Sequence, residues 1–153
     1  MAESHPTIKP IRVEDKKASI VFIHGFSGDL EETWGQFPLF LASYAELNDW
    51  DIYSFGYASR LRIDLVSIWR ADPALNTLAD LLHTTVRTAF QKYDDLAIVA
   101  HSMGGLVVQR ALVDNEEFTK RVKHVLLFGT PRGIRLIIMV SMSPLCSLLT
   151  KEA

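Results

Sequence analysis

The chain is poor in features that several protein classes require. It contains one cysteine among 153 residues, so no internal disulfide can form and a disulfide-stapled secreted scaffold is excluded. Lysine and arginine total 16 against 18 acidic residues, and this net charge of −2 argues against a nucleic-acid binder with a basic face. No apolar run reaches the roughly 18 residues that a membrane-spanning helix needs.

Cofactor and targeting motifs are also missing. The five histidines are not accompanied by paired cysteines or clustered carboxylates, so the sequence predicts no metal site. The loop that begins at Gly25 has neither the lysine of a P-loop nor the G-x-G-x-x-G pattern of a dinucleotide site. Residues 1–10 are polar and lack the apolar centre of a signal peptide, so we expect a cytoplasmic protein.

The composition and the order of apolar segments predict one α/β domain. Hydrophobic residues make up 48% of the chain and charged residues 22%, as in ordinary globular domains. Apolar or β-branched runs predict strands at residues 18–24, 51–57, 96–100 and 122–128. Helical spacing predicts helices at residues 38–47, 73–93 and 102–114. This alternation predicts a mostly parallel sheet with helices on both faces.

We divide the chain into three parts: an N-terminal arm or edge strand (1–17), an α/β core (18–133) and an atypical apolar tail (134–153). The tail has no amphipathic period, and Arg135 and Pro144 interrupt it. A membrane-surface segment, a buried helix or strand, and a non-native stretch from a truncated or shifted reading frame are its three interpretations. The absence of a polar basic face counts against the first of these.

A serine stands where a predicted strand passes directly into a predicted helix. The segment reads Ala-His-Ser-Met-Gly-Gly over residues 100–105. Small residues on both sides, Ala100 and Gly104, allow the sharp turn that exposes a nucleophilic serine, here Ser102. The Met103 N–H then lies at the helix N-terminus, where it can stabilise an oxyanion. The alternative is an ordinary helix-capping serine, with Gly-Gly present for close packing.

The loop after the first buried strand is the expected source of a second oxyanion donor. It reads His-Gly-Phe-Ser-Gly, where Gly25 allows the backbone to turn and the Phe26 N–H is the predicted donor. We expect the His24 side chain to brace this loop and the His101 side chain to point away from Ser102. An ordinary glycine-rich loop without chemistry is the alternative.

Over residues 18–131 these segments resemble the α/β-hydrolase superfamily. The matching pieces also include Tyr-Ser-Phe-Gly-Tyr on the second strand and Leu-Phe-Gly-Thr-Pro on the last. More narrowly, Thr33-Trp34 and Phe55-Gly56-Tyr57 resemble the lipase-like serine esterases, a group that includes enzymes remodelling glycosylphosphatidylinositol anchors. The resemblance implies hydrolysis of small-molecule or lipid carboxylic esters through an acyl-enzyme, with no cofactor. An acyltransferase or thioesterase would use the same site.

The acid and the base of a catalytic triad are not evident in the sequence. In this superfamily they follow the serine, yet the only later histidine is His124, near the start of the last strand. That position is at the end of a parallel sheet opposite the Ser102 turn. We therefore expect a partial α/β-hydrolase fold without its late strands and final helix, from a truncated or frame-shifted esterase. A non-catalytic interaction module with the same fold is the alternative function.

Overall fold

The computed structural model describes residues 6–25, 33–57 and 73–130. The strands in chain order are β1 (Thr7–Arg12), β2 (Ala18–Ile23), β3 (Trp50–Gly56), β4 (Asp95–His101) and β5 (Val122–Phe128). The helices are α1 (Phe37–Ala42), α2 (Pro73–Ala89), α3 (Met103–Asp114) and α4 (Glu116–Arg121), with a 3₁₀ turn at Ala45–Leu47.

The strands form one five-stranded sheet in the order β1-β3-β2-β4-β5. The central strand β2 pairs in parallel with β3 on one side and with β4 on the other, and β5 continues the parallel sheet beside β4. The segment 1–17 contributes the antiparallel edge strand β1, which pairs with β3. The predicted α/β class with a mostly parallel sheet is therefore confirmed.

The two faces of the sheet carry separate apolar cores. Val21 and Ile23 of β2 point to the core that contains α2, α3 and α4, whereas Ile20 and Phe22 point to the core beneath α1. All four side chains are at most 1% exposed. Because parallel strands covered on both faces have no polar side, β2 and β4 are almost continuously apolar in sequence.

Several helix boundaries differ from the sequence prediction. The helix predicted over 38–47 ends at Ala42, because the Arg12 guanidinium binds the carbonyl oxygens of Ala42, Leu47 and Trp50 and holds the chain in a tighter path. The helix predicted over 73–93 ends at Ala89. The Arg121 guanidinium donates to the carbonyl oxygens of Phe90 and Tyr93, which follow this helix.

The short helix α4 was not predicted. The Asn115 side chain caps it by accepting a hydrogen bond from the Phe118 N–H at 2.9 Å. The buried Phe118 side chain then anchors the helix to the α2–α3 core. Asn115 thus separates α3 from α4, and the chain turns back into β5.

A buried carboxylate organises the amino-terminal edge of the sheet. Asp51 at the start of β3 is fully buried, and its carboxylate accepts hydrogen bonds from the Glu14 N–H at 2.8 Å and the Lys16 N–H at 3.2 Å. The Tyr93 hydroxyl donates to the same carboxylate at 2.8 Å and lies 2.7 Å from the Tyr53 hydroxyl. This network fixes the connection between β1 and β2.

Some predictions concern residues outside the described part of the chain. These include the tail (134–153) and the predicted oxyanion donor Phe26. Within the described ranges, no helix has both the length and the apolar character needed to cross a bilayer.

Candidate active site

Ser102 lies in a strained turn between β4 and α3. Its backbone angles are φ 51° and ψ −121°, and within the described ranges Asp15 is the only other non-glycine residue with positive φ. L-residues adopt this conformation only where the surrounding structure enforces it. A capping serine has an extended backbone and a side-chain oxygen that accepts a helix N–H, but the Ser102 side chain makes no such bond. The geometry therefore does not match the capping alternative.

Two glycines allow the loop after β2 to approach this turn. A Cβ atom added to Gly25 would lie 2.8 Å from the Ser102 Cβ and 3.0 Å from the His101 carbonyl oxygen. A Cβ atom on Gly104 would lie 2.4 Å from the His24 carbonyl oxygen, in the first turn of α3. These approaches leave no space for a side chain. The two backbone segments that were predicted to form the site are therefore in contact.

Hydrogen bonds from the main chain hold the turn itself. The Ser102 N–H donates to the Phe128 carbonyl oxygen at 2.8 Å, and the Ser102 carbonyl accepts from the Gly105 N–H at 3.1 Å. The Ser102 N–H is thus occupied by β5. The next donor along the chain is the Met103 N–H, which opens α3, and the first N–H groups of an α-helix have no acceptor within the helix.

The His24 ring is held by backbone groups on both of its nitrogens. Nδ1 lies 2.7 Å from the Gly25 carbonyl oxygen, and Nε2 lies 3.3 Å from the Tyr57 backbone nitrogen, which donates to it. A ring that accepts at Nε2 and donates from Nδ1 is the neutral Nδ1–H tautomer. Both ring nitrogens of His24 are therefore used in hydrogen bonds to the backbone, and neither is free to take a proton from Ser102.

Comparison with known proteins identifies the family. The family model described as "Alpha/beta hydrolase family" matches residues 20–148. The chain belongs to the α/β-hydrolase family. No curated protein matches the sequence.

Solved structures share the fold of this α/β hydrolase at low identity. The Bacillus licheniformis lipase BlEst2 is 22% identical with a TM-score of 0.56, covering 82% of this chain and 46% of the lipase. An epoxide hydrolase from Bacillus megaterium, crystallised as a mutant, is 15% identical with a TM-score of 0.50, covering 84% of this chain and 39% of that protein. The chain therefore spans less than half the length of either.

Aromatic side chains of the α/β hydrolase lie beside the Ser102 turn. The Trp34 ring packs edge-on against the rings of His101 and Phe128 at centroid distances of 6.1 and 6.2 Å. Phe37 approaches Phe128 at 6.0 Å. Trp34 is buried at 8% exposure, whereas Phe128 is 41% exposed although it is apolar, so the open apolar surface next to the turn is that of Phe128. We call Trp34, Phe37 and Phe128 the aromatic wall.

The remaining candidates for acid and base do not meet at Ser102. His124 pairs with Ala97 in the amino-terminal half of β4. It is buried, and burial lowers the pKa of its imidazole. Asp114 forms an ion pair with Arg110 at 2.5 Å. Within the described ranges, no histidine forms a hydrogen bond with a carboxylate or with Ser102, and no group of three metal-ligating side chains occurs.

The structure thus brings together five of the predicted site residues: His24, Gly25, Ser102, Met103 and Gly104. His101 is exposed, with its ring against Trp34, and Phe26 lies outside the described residues. Sequence reasoning did not find the contact that Tyr57 makes, since its hydroxyl donates to the His24 carbonyl oxygen at 2.9 Å. The only signal for it is the register of two strands that are distant in sequence.

Proposed function

We propose that this protein is a serine hydrolase that cleaves carboxylic esters through an acyl-enzyme, with Ser102 as its nucleophile. The observation that carries the proposal is the Ser102 backbone at φ 51°, in a turn that the Gly25 backbone touches and with a side chain that caps no helix. Backbone strain of this kind costs roughly 1–3 kcal/mol and typically persists at functional sites. No described packing role requires a serine at this position.

In the proposed reaction, the Ser102 Oγ attacks the ester carbonyl carbon while a base takes its proton. The carbonyl oxygen becomes an oxyanion, which the Met103 N–H and the N-terminus of the 12-residue helix α3 stabilise. The C–O bond to the alcohol then breaks, the alcohol leaves with a proton, and Ser102 carries the acyl group. Water hydrolyses this ester and returns the free serine. The Phe26 N–H remains our proposal for the second oxyanion donor.

We propose that the site in this chain is incomplete: within the described ranges no base or acid meets Ser102, and the one histidine outside them, His5, precedes the serine in the chain. His24 is excluded as the base because both ring nitrogens already have backbone partners. His124 is excluded because it pairs with Ala97, whereas the turn begins at the far end of the same strand. A serine hydroxyl at its ordinary pKa is a weak nucleophile, so the reaction needs such a base.

The proposed substrate has an apolar acyl group, as in a lipid ester. The aromatic wall supports this choice because it places an exposed apolar surface beside the nucleophile turn. The resemblance to lipase-like serine esterases points to the same substrate class, and a lipase is among the proteins that share the fold. Remodelling of glycosylphosphatidylinositol anchors is the narrowest form of the proposal.

The decisive experiment combines phosphonate labelling with substitution. In the complete protein, a serine-reactive fluorophosphonate is expected to modify Ser102, located by mass spectrometry of the digested protein. Ser102→Ala should abolish labelling and lower ester turnover by at least about 10³-fold, since the nucleophile is lost. Ser43→Ala, which removes an exposed hydroxyl bound to the Phe40 carbonyl, is the matched control and should change neither quantity.

Modification at another residue, or turnover that survives Ser102→Ala, would contradict the proposal. A protein that melts cooperatively but neither hydrolyses esters nor reacts with the phosphonate would instead support the non-catalytic interaction module.

A further inference from the structure

Tyr57 contacts His24 in three separate ways just beyond the end of β3. Its ring stacks on the imidazole with centroids 4.7 Å apart and planes inclined by 20°. Its backbone N–H donates to Nε2, and its hydroxyl donates to the His24 carbonyl oxygen at 2.9 Å. Both residues are buried, at 7% and 2% exposure.

The Tyr57 hydroxyl remains a donor at neutral pH. Burial raises the pKa of this phenol well above its ordinary value, so the neutral form persists. A buried carbonyl oxygen that loses its donor is left without a partner, which structures strongly avoid. The orientation of the His24 carbonyl is therefore fixed by a bond that the loop itself does not supply.

The His24 carbonyl contacts Tyr57 and also lies close to α3, the helix that follows Ser102. It approaches Gly104 of α3 so closely that an added Cβ atom would lie 2.4 Å away. The next residue, Gly25, stands against the Ser102 Cβ and the His101 carbonyl. Rotation of the peptide between His24 and Gly25 would therefore change the distance between the loop and Ser102.

We propose that Tyr57 is a positioning residue, whose hydroxyl and ring hold His24 as a neutral Nδ1–H brace and thereby fix the Gly25 backbone against Ser102. The part of this inference that concerns reactivity rests on the proposed function. Tyr57 does not touch the reacting atoms. It acts through His24 and Gly25, and its absence should slow acylation without weakening the binding of an apolar inhibitor.

The first test is Tyr57→Phe, which removes the hydroxyl and keeps the ring that stacks on His24. We expect the maximal rate of Ser102 phosphonylation, in which the serine oxygen bonds to phosphorus and fluoride leaves, to fall about tenfold, because small misplacements of reacting groups have large kinetic effects. The inhibitor concentration at half-maximal rate should stay within about twofold, because the aromatic wall is unchanged. A variant that is phosphonylated at the wild-type rate would overturn the proposal.

Tyr53→Phe is the matched control. Tyr53 lies on β3, the strand that leads to Tyr57, and its hydroxyl takes part in one short hydrogen bond, at 2.7 Å to the Tyr93 hydroxyl. Both variants thus lose one phenol hydrogen bond, and their melting temperatures should fall by similar amounts. A phosphonylation rate that falls equally in both would show a general loss of stability and would count against positioning.

The second readout does not depend on activity. Ring ¹⁵N chemical shifts of the full chain should show His24 as the neutral Nδ1–H tautomer near pH 7. The amide resonances of Gly25 and Ser102 should move in Tyr57→Phe and stay in place in Tyr53→Phe. A wild-type protein that the phosphonate does not modify would refute the proposed function, and these resonances would then decide the role of Tyr57. A protonated or Nε2–H His24, or unmoved amides, would overturn it.

Discussion

The amino-terminal and carboxyl-terminal edges of the sheet, where its parallel strands begin and end, are held together by different kinds of contact. At the carboxyl-terminal edge, the contacts around Ser102 are between backbones, with Gly25 and Gly104 allowing approaches too close for any side chain. At the amino-terminal edge, side chains make the connections. Asp51 accepts three hydrogen bonds there, and Arg12 binds three carbonyl oxygens.

This difference indicates that the two edges contribute differently to the stability of the fold and to the proposed reactivity of Ser102. Side-chain networks at the amino-terminal edge satisfy buried polar groups and hold loops in place. The carboxyl-terminal edge instead holds a serine in an unfavourable conformation and keeps helix N–H groups near it. A substitution that removes a buried contact at either edge should reduce stability, but only one at the carboxyl-terminal edge should alter the proposed reactivity of Ser102.

Gly104→Ala should have the largest effect on folding. Alanine normally stabilises a helix by about 1 kcal/mol over glycine, but here the new methyl group would lie 2.4 Å from the His24 carbonyl oxygen. Since the backbone must move, we expect the free energy of unfolding to fall by about 3 kcal/mol and phosphonate labelling of Ser102 to be lost. Urea denaturation and phosphonate labelling measure the two effects.

Gly35→Ala is the control for this substitution. Gly35 differs from Gly104 in having a positive φ, of 51°, and a Cβ atom added to it would meet open space. The loss of stability should therefore be only about 1 kcal/mol, from backbone strain alone, and the labelling rate should not change. Equal losses in the two variants would refute the close approach at Gly104.

Asp51→Ala should weaken the opposite edge by about 2–3 kcal/mol. The substitution leaves the Glu14 N–H, the Lys16 N–H and the Tyr93 hydroxyl without their acceptor. Chemical denaturation should detect this loss, while the rate of phosphonate labelling of the folded protein should equal that of the wild type. Slower labelling would mean that the two edges are coupled.

Asp15→Asn is the matched control, because Asp15 forms an exposed ion pair with Lys92 at 2.8 Å. Asparagine tolerates the positive φ of this position. We expect no measurable change in stability.

His124 should produce the smallest effect, visible only in acid. Burial lowers the pKa of its imidazole below the ordinary value of about 6.5, so the unfolded chain binds a proton more readily than the folded chain. The contribution is present in full above the unfolded pKa and is lost as the pH falls toward the folded pKa. Between pH 7 and pH 5, the melting temperature should therefore fall less in His124→Gln than in the wild type.

The wild-type protein provides the reference curve for the pH series. A His124→Gln curve parallel to that of the wild type would show that burial of His124 does not control acid stability.

The sequence predicted those elements that local patterns determine. β2 and β4 are almost continuous apolar runs, and α2 repeats its apolar residues at helical spacing. Each element can therefore be predicted from its own residues, without knowledge of the elements that pack against it. The end of α1 was not readable, because Arg12 of a different element sets it. The signal for α4 was present but short: Asn115 precedes two acidic residues, and two basic residues close the helix.

The candidate site also has a part that local sequence predicts and a part that depends on contacts between distant segments. The Ser102 turn was predicted because the small residues that permit it are its sequence neighbours. The role of Tyr57 was not predicted, since it follows from the pairing of Ile23 with Phe55, which places the ends of β2 and β3 side by side. Register between strands distant in sequence is a tertiary property that one chain segment does not encode alone.

The strand order also has a kinetic consequence. β2 occupies the centre of the sheet, yet both of its partners come later in the chain, and β4 follows only after β3 and α2. Loops must close over long sequence separations before Gly25 meets Ser102, and folds with such non-local contacts fold slowly. During synthesis Gly25 therefore emerges well before Ser102, and the contact between them can form only after β4 and the start of α3 have followed.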